Sequence, residues 1–153
     1  MRPRVNRLFD IAVIVIASAG VFAGTGQHAA RNTDDKALAV HGYDVVAYLT
    51  VGAARRGRPE FEFKWEDAIW RFETAAHRDA FAASPERFAP QFGGYCAWAV
   101  SRGYTADIDP EAWRIVEGKL YLNYSKRVQR MWEQDIAGNI AKGRTNWPGV
   151  LAK

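Results

Sequence analysis

Residues 61–72 read FEFKWEDAIWRF and predict the first β-hairpin of the fold. Aromatic residues alternate with charged ones from Phe61 to Trp65, which is the period-two pattern of a half-buried strand. The acidic pair Glu66-Asp67 forms the predicted turn, and residues 69–72 form the returning strand. The aromatic side chains of this hairpin are therefore predicted to face the core.

Helical segments follow both predicted hairpins. Thr74 is placed to cap a helix over residues 75–83. A second hairpin is predicted at residues 113–123, and Ser125 is placed to cap a long C-terminal helix whose apolar residues recur at helical spacing. The chain therefore predicts one α+β domain over residues 36–150, in which two β-hairpins are interleaved with helices.

Two further segments are less regular. Residues 44–49 read DVVAYL, and their β-branched residues predict a short strand. Residues 93–101 fit a strand or a helix, and the pair Gly93-Gly94 favours a break before the rest of the segment. This segment carries Cys96, the one cysteine of the chain, so its conformation decides where the thiol lies.

The amino-terminal residues predict an export signal. Three arginines precede an apolar run over residues 11–23, and small residues end that run at Ala23. This is the pattern of a secretory signal peptide. The apolar run is shorter than the roughly 20 residues that span a bilayer, and an uncleaved N-terminal anchor over residues 1–23 is the alternative. Residues 24–35 are predicted to be a polar tether, and the protein is predicted to be exported to the periplasm.

Charge and composition exclude a nucleic-acid-binding class. The formal net charge is +4, and residues 1–23 contribute three arginines and one aspartate to it. The remainder shows no basic stripe of the kind that nucleic-acid-binding domains carry. Six tryptophans, six tyrosines and eight phenylalanines supply large side chains for a core.

Several motifs resemble the exported YHS-domain family. They are GYDVVAY over residues 42–48, FGGYCAW over 92–98, DPEAW over 109–113 and GKLYLNY over 118–124. Smaller YHS domains accompany copper-transporting ATPases and are thought to bind metal through cysteines. The resemblance therefore implies a YHS-like domain with a link to copper or redox homeostasis.

The sequence departs from that family at the implied metal ligands. The cysteines of the smaller domains align with Ala47, Glu73 and His77, so a soft thiolate site has been lost. Some members of the exported branch are described as selenoproteins, which implies redox or metal chemistry at Cys96.

Four residues are candidate metal ligands. Glu73 and His77 are four positions apart, so one turn of helix places them on the same face. With Cys96 they offer oxygen, nitrogen and sulfur, a mixture that zinc accepts, while copper favours the nitrogen and the sulfur. His41 is a candidate second nitrogen ligand, or a general base for the thiol. The alternatives are a surface ion pair on the helix and an exposed His41.

Three aromatic residues are candidate cofactor-binding residues. Tyr43, Tyr95 and Trp98, together with Tyr48 and Tyr104, are predicted to line a pocket beside the thiol. The alternative is ordinary core packing, which is the commonest role of aromatic side chains.

Three functions follow from these candidates. The favoured hypothesis is a binding module that holds a copper or zinc ion, or a small ligand, in a pocket near Cys96. The second is a thiol redox enzyme in which Cys96 is the catalytic residue, assisted by His41 or His77. The third is a structural accessory domain that docks on a membrane-protein partner, with an inert, buried thiol. A lone cysteine forms no internal disulfide, so cross-linking is not its role.

Overall fold

Both predicted hairpins are present in the structure. The structure, a computed structural model, describes residues 27–153, and the predicted signal peptide or anchor over residues 1–23 lies outside this range. Within the described range, six α-helices and two antiparallel two-stranded sheets confirm the α+β class. None of the helices in this range is long and apolar enough to cross a bilayer.

The elements alternate along the chain in the predicted manner. In order they are α1 Val45–Thr50, β1 Arg58–Trp65, β2 Ala68–Phe72, α2 Ala75–Ala83, α3 Pro85–Phe88, α4 Ala97–Ser101, β3 Asp109–Val116, β4 Lys119–Asn123, α5 Lys126–Glu133 and α6 Ile136–Asn146. Short 3-10 turns lie at Val40–Gly42, Phe92–Gly94 and Gly149–Ala152.

The first hairpin buries its aromatic face against α2. Strand β1 pairs with β2, and Phe63 lies opposite Trp70. In β2, Ala68, Trp70 and Phe72 are buried and alternate with half-buried residues. Phe81 of α2 packs on Trp70 with a distance of 4.8 Å between the ring centroids. The alternation that predicts this hairpin therefore also builds the first part of the core.

The second hairpin separates two hydrophobic clusters. Leu120 and Leu122 of β4 are buried in the cluster that contains the first hairpin. Tyr121 belongs to a second cluster and packs on Trp132 of α5, with ring centroids 5.3 Å apart. Because successive side chains of a strand point to opposite faces, β4 contributes to both clusters.

Residues 45–50 form helix α1, and the prediction of a strand here was wrong. Asp44 caps the helix, because its Oδ1 accepts hydrogen bonds from the N–H groups of Val46 and Ala47 at 2.9 and 3.2 Å. An aspartate directly before an apolar run is a helix-start signal. Here the cap and the burial of the following residues override the β-propensity of two valines.

The predicted C-terminal helix is present as two helices. Helix α5 ends at Glu133, and α6 begins at Ile136 after the non-helical Asp135, whose Oδ1 accepts a hydrogen bond from the N–H of Gly138 at 2.9 Å. This second capping aspartate interrupts an otherwise helical apolar pattern.

Residues 28–34, which fall within the predicted tether, lie on the domain. The N–H of His28 donates to the carbonyl of Leu151 at 2.8 Å, and the N–H of Asn32 donates to the carbonyl of Gly93 at 2.8 Å. These bonds join the amino-terminal segment to the carboxy-terminal end and to the glycine pair before the cysteine.

Candidate functional site

Cys96 lies between a 3-10 turn and helix α4. The turn at Phe92–Gly94 precedes it, and α4 begins at the next residue, Ala97. The N–H of Cys96 donates to the carbonyl of Ala106 at 3.0 Å, which fixes the backbone at this point. The residue is 1 % exposed, so the thiol is a buried group.

Two groups contact the sulfur of Cys96. Its Sγ accepts a hydrogen bond from the N–H of Tyr124 at 3.3 Å, and its S–H donates to Oδ1 of Asn123 at 3.7 Å. Burial raises the pKa of Cys96, and the backbone N–H groups around the sulfur offset this only in part. The site therefore holds a neutral thiol near pH 7.

A cavity of about 260 Å³ opens over this thiol. We call it the Cys96 cavity, and its lining residues are Cys96, Trp98, Ala99, Tyr104, Ala106, Tyr124 and Val128. Tyr104 and Tyr124 are 50 % and 60 % exposed, so the cavity is open to solvent between aromatic rings. No charged side chain is among its lining residues.

The Trp98 ring packs against Arg102, and the Trp98 backbone is held by Asn123. The guanidinium carbon of Arg102 lies 4.1 Å from the centroid of the Trp98 ring, a cation–π contact. The backbone N–H of Trp98 donates to Oδ1 of Asn123 at 3.1 Å. Asn123 is fully buried and so holds both the thiol and the start of α4, while its Nδ2 has no hydrogen-bond partner among the described residues.

The two histidines among the predicted metal ligands are hydrogen-bonded to separate carboxylates. Nδ1 of His77 lies 2.6 Å from Oδ2 of Asp44, and Nε2 of His41 lies 3.0 Å from Oδ1 of Asp107. Across residues 27–153, no group of three or more His, Cys, Asp or Glu side chains could hold a metal ion. Zinc sites use three or four protein ligands, and no such set is assembled within this range, so the copper or zinc site stays a prediction of the sequence.

Asp44 is the residue that the sequence analysis missed. Its carboxylate is completely buried, and Oδ2 accepts a hydrogen bond from the N–H of Glu73 at 2.8 Å as well as from His77. A buried carboxylate requires such hydrogen-bond donors. Since Asp44 caps α1 and its donors lie at and just before the start of α2, these bonds join the two helices. The available signal was the position of Asp44 directly before an apolar run.

Trp98 alone of the three predicted cofactor-binding residues lines the Cys96 cavity. The ring of Tyr43 lies 5.0 Å from the guanidinium of Arg56. The hydroxyl of Tyr95 donates to the carbonyl of Ala29 at 2.8 Å, which helps to hold the amino-terminal segment.

Tyr104, also predicted as a pocket residue, lines the cavity. Four further lining residues were not predicted: Ala99, Ala106, Tyr124 and Val128. Tyr124 follows strand β4 and Val128 lies in helix α5. Their approach to Cys96 depends on how the second hairpin leads into α5, which local sequence patterns do not specify.

We expect Cys96 to react slowly with iodoacetamide in the folded protein. At pH 7.5 the buried thiol is largely protonated, and the thiolate is the form that reacts. Mass spectrometry over time should show alkylation at least about ten-fold slower than in the urea-unfolded chain, because burial both restricts access to the sulfur and raises the pKa of the thiol. Equal rates in the two states would contradict a buried, neutral thiol.

No protein-family model, curated protein or solved structure matches this chain. The resemblance to exported YHS-domain proteins therefore depends on the motifs alone, and membership of that family stays a prediction. The cavity and its contacts are the basis for the function proposed below.

Proposed function

We propose that the protein is a binding module for a small, planar, apolar ligand in the Cys96 cavity. The observation that carries this proposal is an open cavity lined by three aromatic rings, a neutral thiol and alkyl groups. Ligand sites in proteins are typically concave and mostly apolar, with a few polar groups that orient the ligand. In this proposal the hydroxyls of the exposed Tyr104 and Tyr124 supply the orienting polar groups.

The contacts of the thiol favour binding over thiol catalysis. A neutral, buried thiol is a weak nucleophile. His41 and His77, the predicted general bases, neither contact the sulfur nor line the Cys96 cavity; they are hydrogen-bonded to Asp107 and Asp44. In the proposed module Cys96 instead supplies a polarizable sulfur contact to an aromatic ligand.

The proposal places the module outside the cytoplasm, on the strength of the predicted export signal. A buried thiol suits an oxidising compartment, because burial protects it from mixed disulfides. A copper or zinc ion, and docking on a membrane-protein partner, stay predictions of the sequence alone.

The proposal is tested by filling the cavity with a larger side chain and measuring how this changes the affinity for indole. Val128 is half-buried and lines the cavity, so Val128→Trp should occupy the space of a ligand. In ¹⁵N–¹H NMR titrations we expect indole to shift the Trp98 side-chain N–H signal of the wild type with a millimolar Kd, about −4 kcal/mol. Val128→Trp should weaken this binding at least about ten-fold.

Val51→Trp is the matched control, because Val51 is 49 % exposed and is not a lining residue of the Cys96 cavity. It makes the same chemical change and should leave the indole Kd at the wild-type value. Unchanged binding by Val128→Trp, or no saturable shift of the Trp98 signal in the wild type, would contradict the proposal.

A further inference from the structure

A second and larger cavity lies between the two terminal segments of the described chain. Its volume is about 470 Å³, within the range typical of small-ligand sites. We call it the Arg144 cavity. The lining residues that matter here are Arg31, Glu66, Glu86, Phe92, Arg144 and Trp147. None of these residues lines the Cys96 cavity.

Two glycines allow the aromatic part of this cavity to form. A Cβ atom at Gly93 would lie 2.3 Å from the carbonyl oxygen of Ala30 and 2.8 Å from the Trp147 ring. A Cβ atom at Gly143 would lie 2.5 Å from the Phe92 ring. The missing side chains let the Phe92 and Trp147 rings approach to 6.2 Å between centroids, which gives the cavity an apolar wall.

Four charged side chains line the cavity, and two of them neutralise each other. Nε of Arg31 lies 2.6 Å from Oε2 of Glu66. Glu86 and Arg144 form no ion pair with any residue in the range 27–153. Arg144 lies beside the Tyr121 hydroxyl and lines a neighbouring groove with Glu117, but it forms no ion pair with that carboxylate. One carboxylate and one guanidinium are therefore available at the same partly apolar cavity.

We infer that the Arg144 cavity binds a short peptide with free termini. The guanidinium of Arg144 matches a terminal carboxylate, which it can bind through two parallel hydrogen bonds. The carboxylate of Glu86 matches a terminal ammonium, and the Phe92 and Trp147 rings match an apolar side chain. This binding is separate from the function proposed for the Cys96 cavity.

A pair of dipeptides tests the match of charges. We use Leu-Phe and its uncharged analogue N-acetyl-Leu-Phe-amide as probes in NMR titrations of the ¹⁵N-labelled protein. Leu-Phe should shift the Trp147 side-chain N–H signal in a saturable manner and leave that of Trp98 in place. The capped analogue should bind at least about ten-fold more weakly, since it keeps the apolar body and loses both ion pairs.

Charge-neutral variants identify the groups that recognise the termini. Glu86→Gln and Arg144→Gln should each weaken Leu-Phe binding about five-fold, the upper end expected for one exposed ion pair. Lys142→Gln is the control, because Lys142 is an exposed residue of α6 that does not line the cavity. It should leave the Kd unchanged.

Several results would overturn the inference. The first is equal affinity for the capped and free dipeptides, and the second is the absence of a saturable shift of the Trp147 signal. The third is wild-type affinity for Leu-Phe in both Glu86→Gln and Arg144→Gln. The fourth is a loss of affinity in Lys142→Gln as large as the loss in those two variants. Glu86 and Arg144 are exposed, so these substitutions should leave the fold intact, which the dispersion of the NMR spectrum checks. Indole binding at Trp98 should be the same in both variants, so failure here is distinguishable from failure at the Cys96 cavity.

Discussion

Asp44→Ala is expected to lower the free energy of unfolding by about 3–5 kcal/mol, the range for breaking a buried charged pair. The Asp44 carboxylate is fully buried and accepts four hydrogen bonds, three from backbone N–H groups and one from His77. Its removal leaves the three donors and the imidazole without their acceptor, and the cost of unpaired buried polar groups adds to the loss. Urea unfolding followed by tryptophan fluorescence measures the change.

Asp135→Ala is the matched control for that substitution. Asp135 caps α6 through a hydrogen bond from Gly138, as Asp44 caps α1, but it is exposed. Loss of an exposed cap costs about 1 kcal/mol. If Asp44→Ala destabilises the protein no more than Asp135→Ala does, Asp44 does not have the structural role assigned to it.

Gly93→Ala is expected to have the second largest effect, a loss of about 2–5 kcal/mol in the free energy of unfolding. Gly93 has a φ of +63°, in the left-handed region that costs a residue with a Cβ about 1–2 kcal/mol. The new Cβ would also meet the Ala30 carbonyl oxygen at 2.3 Å and the Trp147 ring at 2.8 Å. Overpacking of this kind adds a cost of about 1–3 kcal/mol. Urea unfolding again provides the measurement.

Gly118→Ala separates the two contributions at Gly93. Gly118 has a φ of +73°, and a Cβ there would have no neighbour within 4 Å. Its substitution should therefore show only the conformational cost of about 1–2 kcal/mol. If the two substitutions lower the free energy of unfolding equally, the new Cβ at position 93 adds no cost beyond its conformation. That result would contradict the close packing of Gly93 against Ala30 and Trp147.

The elements that the sequence predicts correctly are those with local signals. The alternation from Phe61 to Trp65 marks β1. Two predicted caps are confirmed, because Oγ1 of Thr74 accepts from the N–H of His77 at 3.1 Å and Oγ of Ser125 accepts from the N–H of Val128 at 3.2 Å. In each case the interaction joins residues only a few positions apart.

The features that the sequence does not predict depend on contacts between distant residues. Helical spacing predicts Glu73 and His77 on one turn, but Glu73 precedes the Thr74 cap and lies outside α2. The spacing also does not reveal that Asp44, 33 positions before His77, is the partner of both residues. The Cys96 cavity likewise needs α4, the segment after it, the end of β4 and the start of α5. Periodicity and capping do not fix how such elements pack.

The most direct test of ligand binding at the thiol is to locate bound indole by intermolecular nuclear Overhauser effects. We predict effects from indole protons to the methyl groups of Val128 and to the ring protons of Trp98 and Tyr124, all of which line the Cys96 cavity. Effects confined to other parts of the protein, or no effects at indole concentrations well above a millimolar Kd, would contradict the proposed binding module.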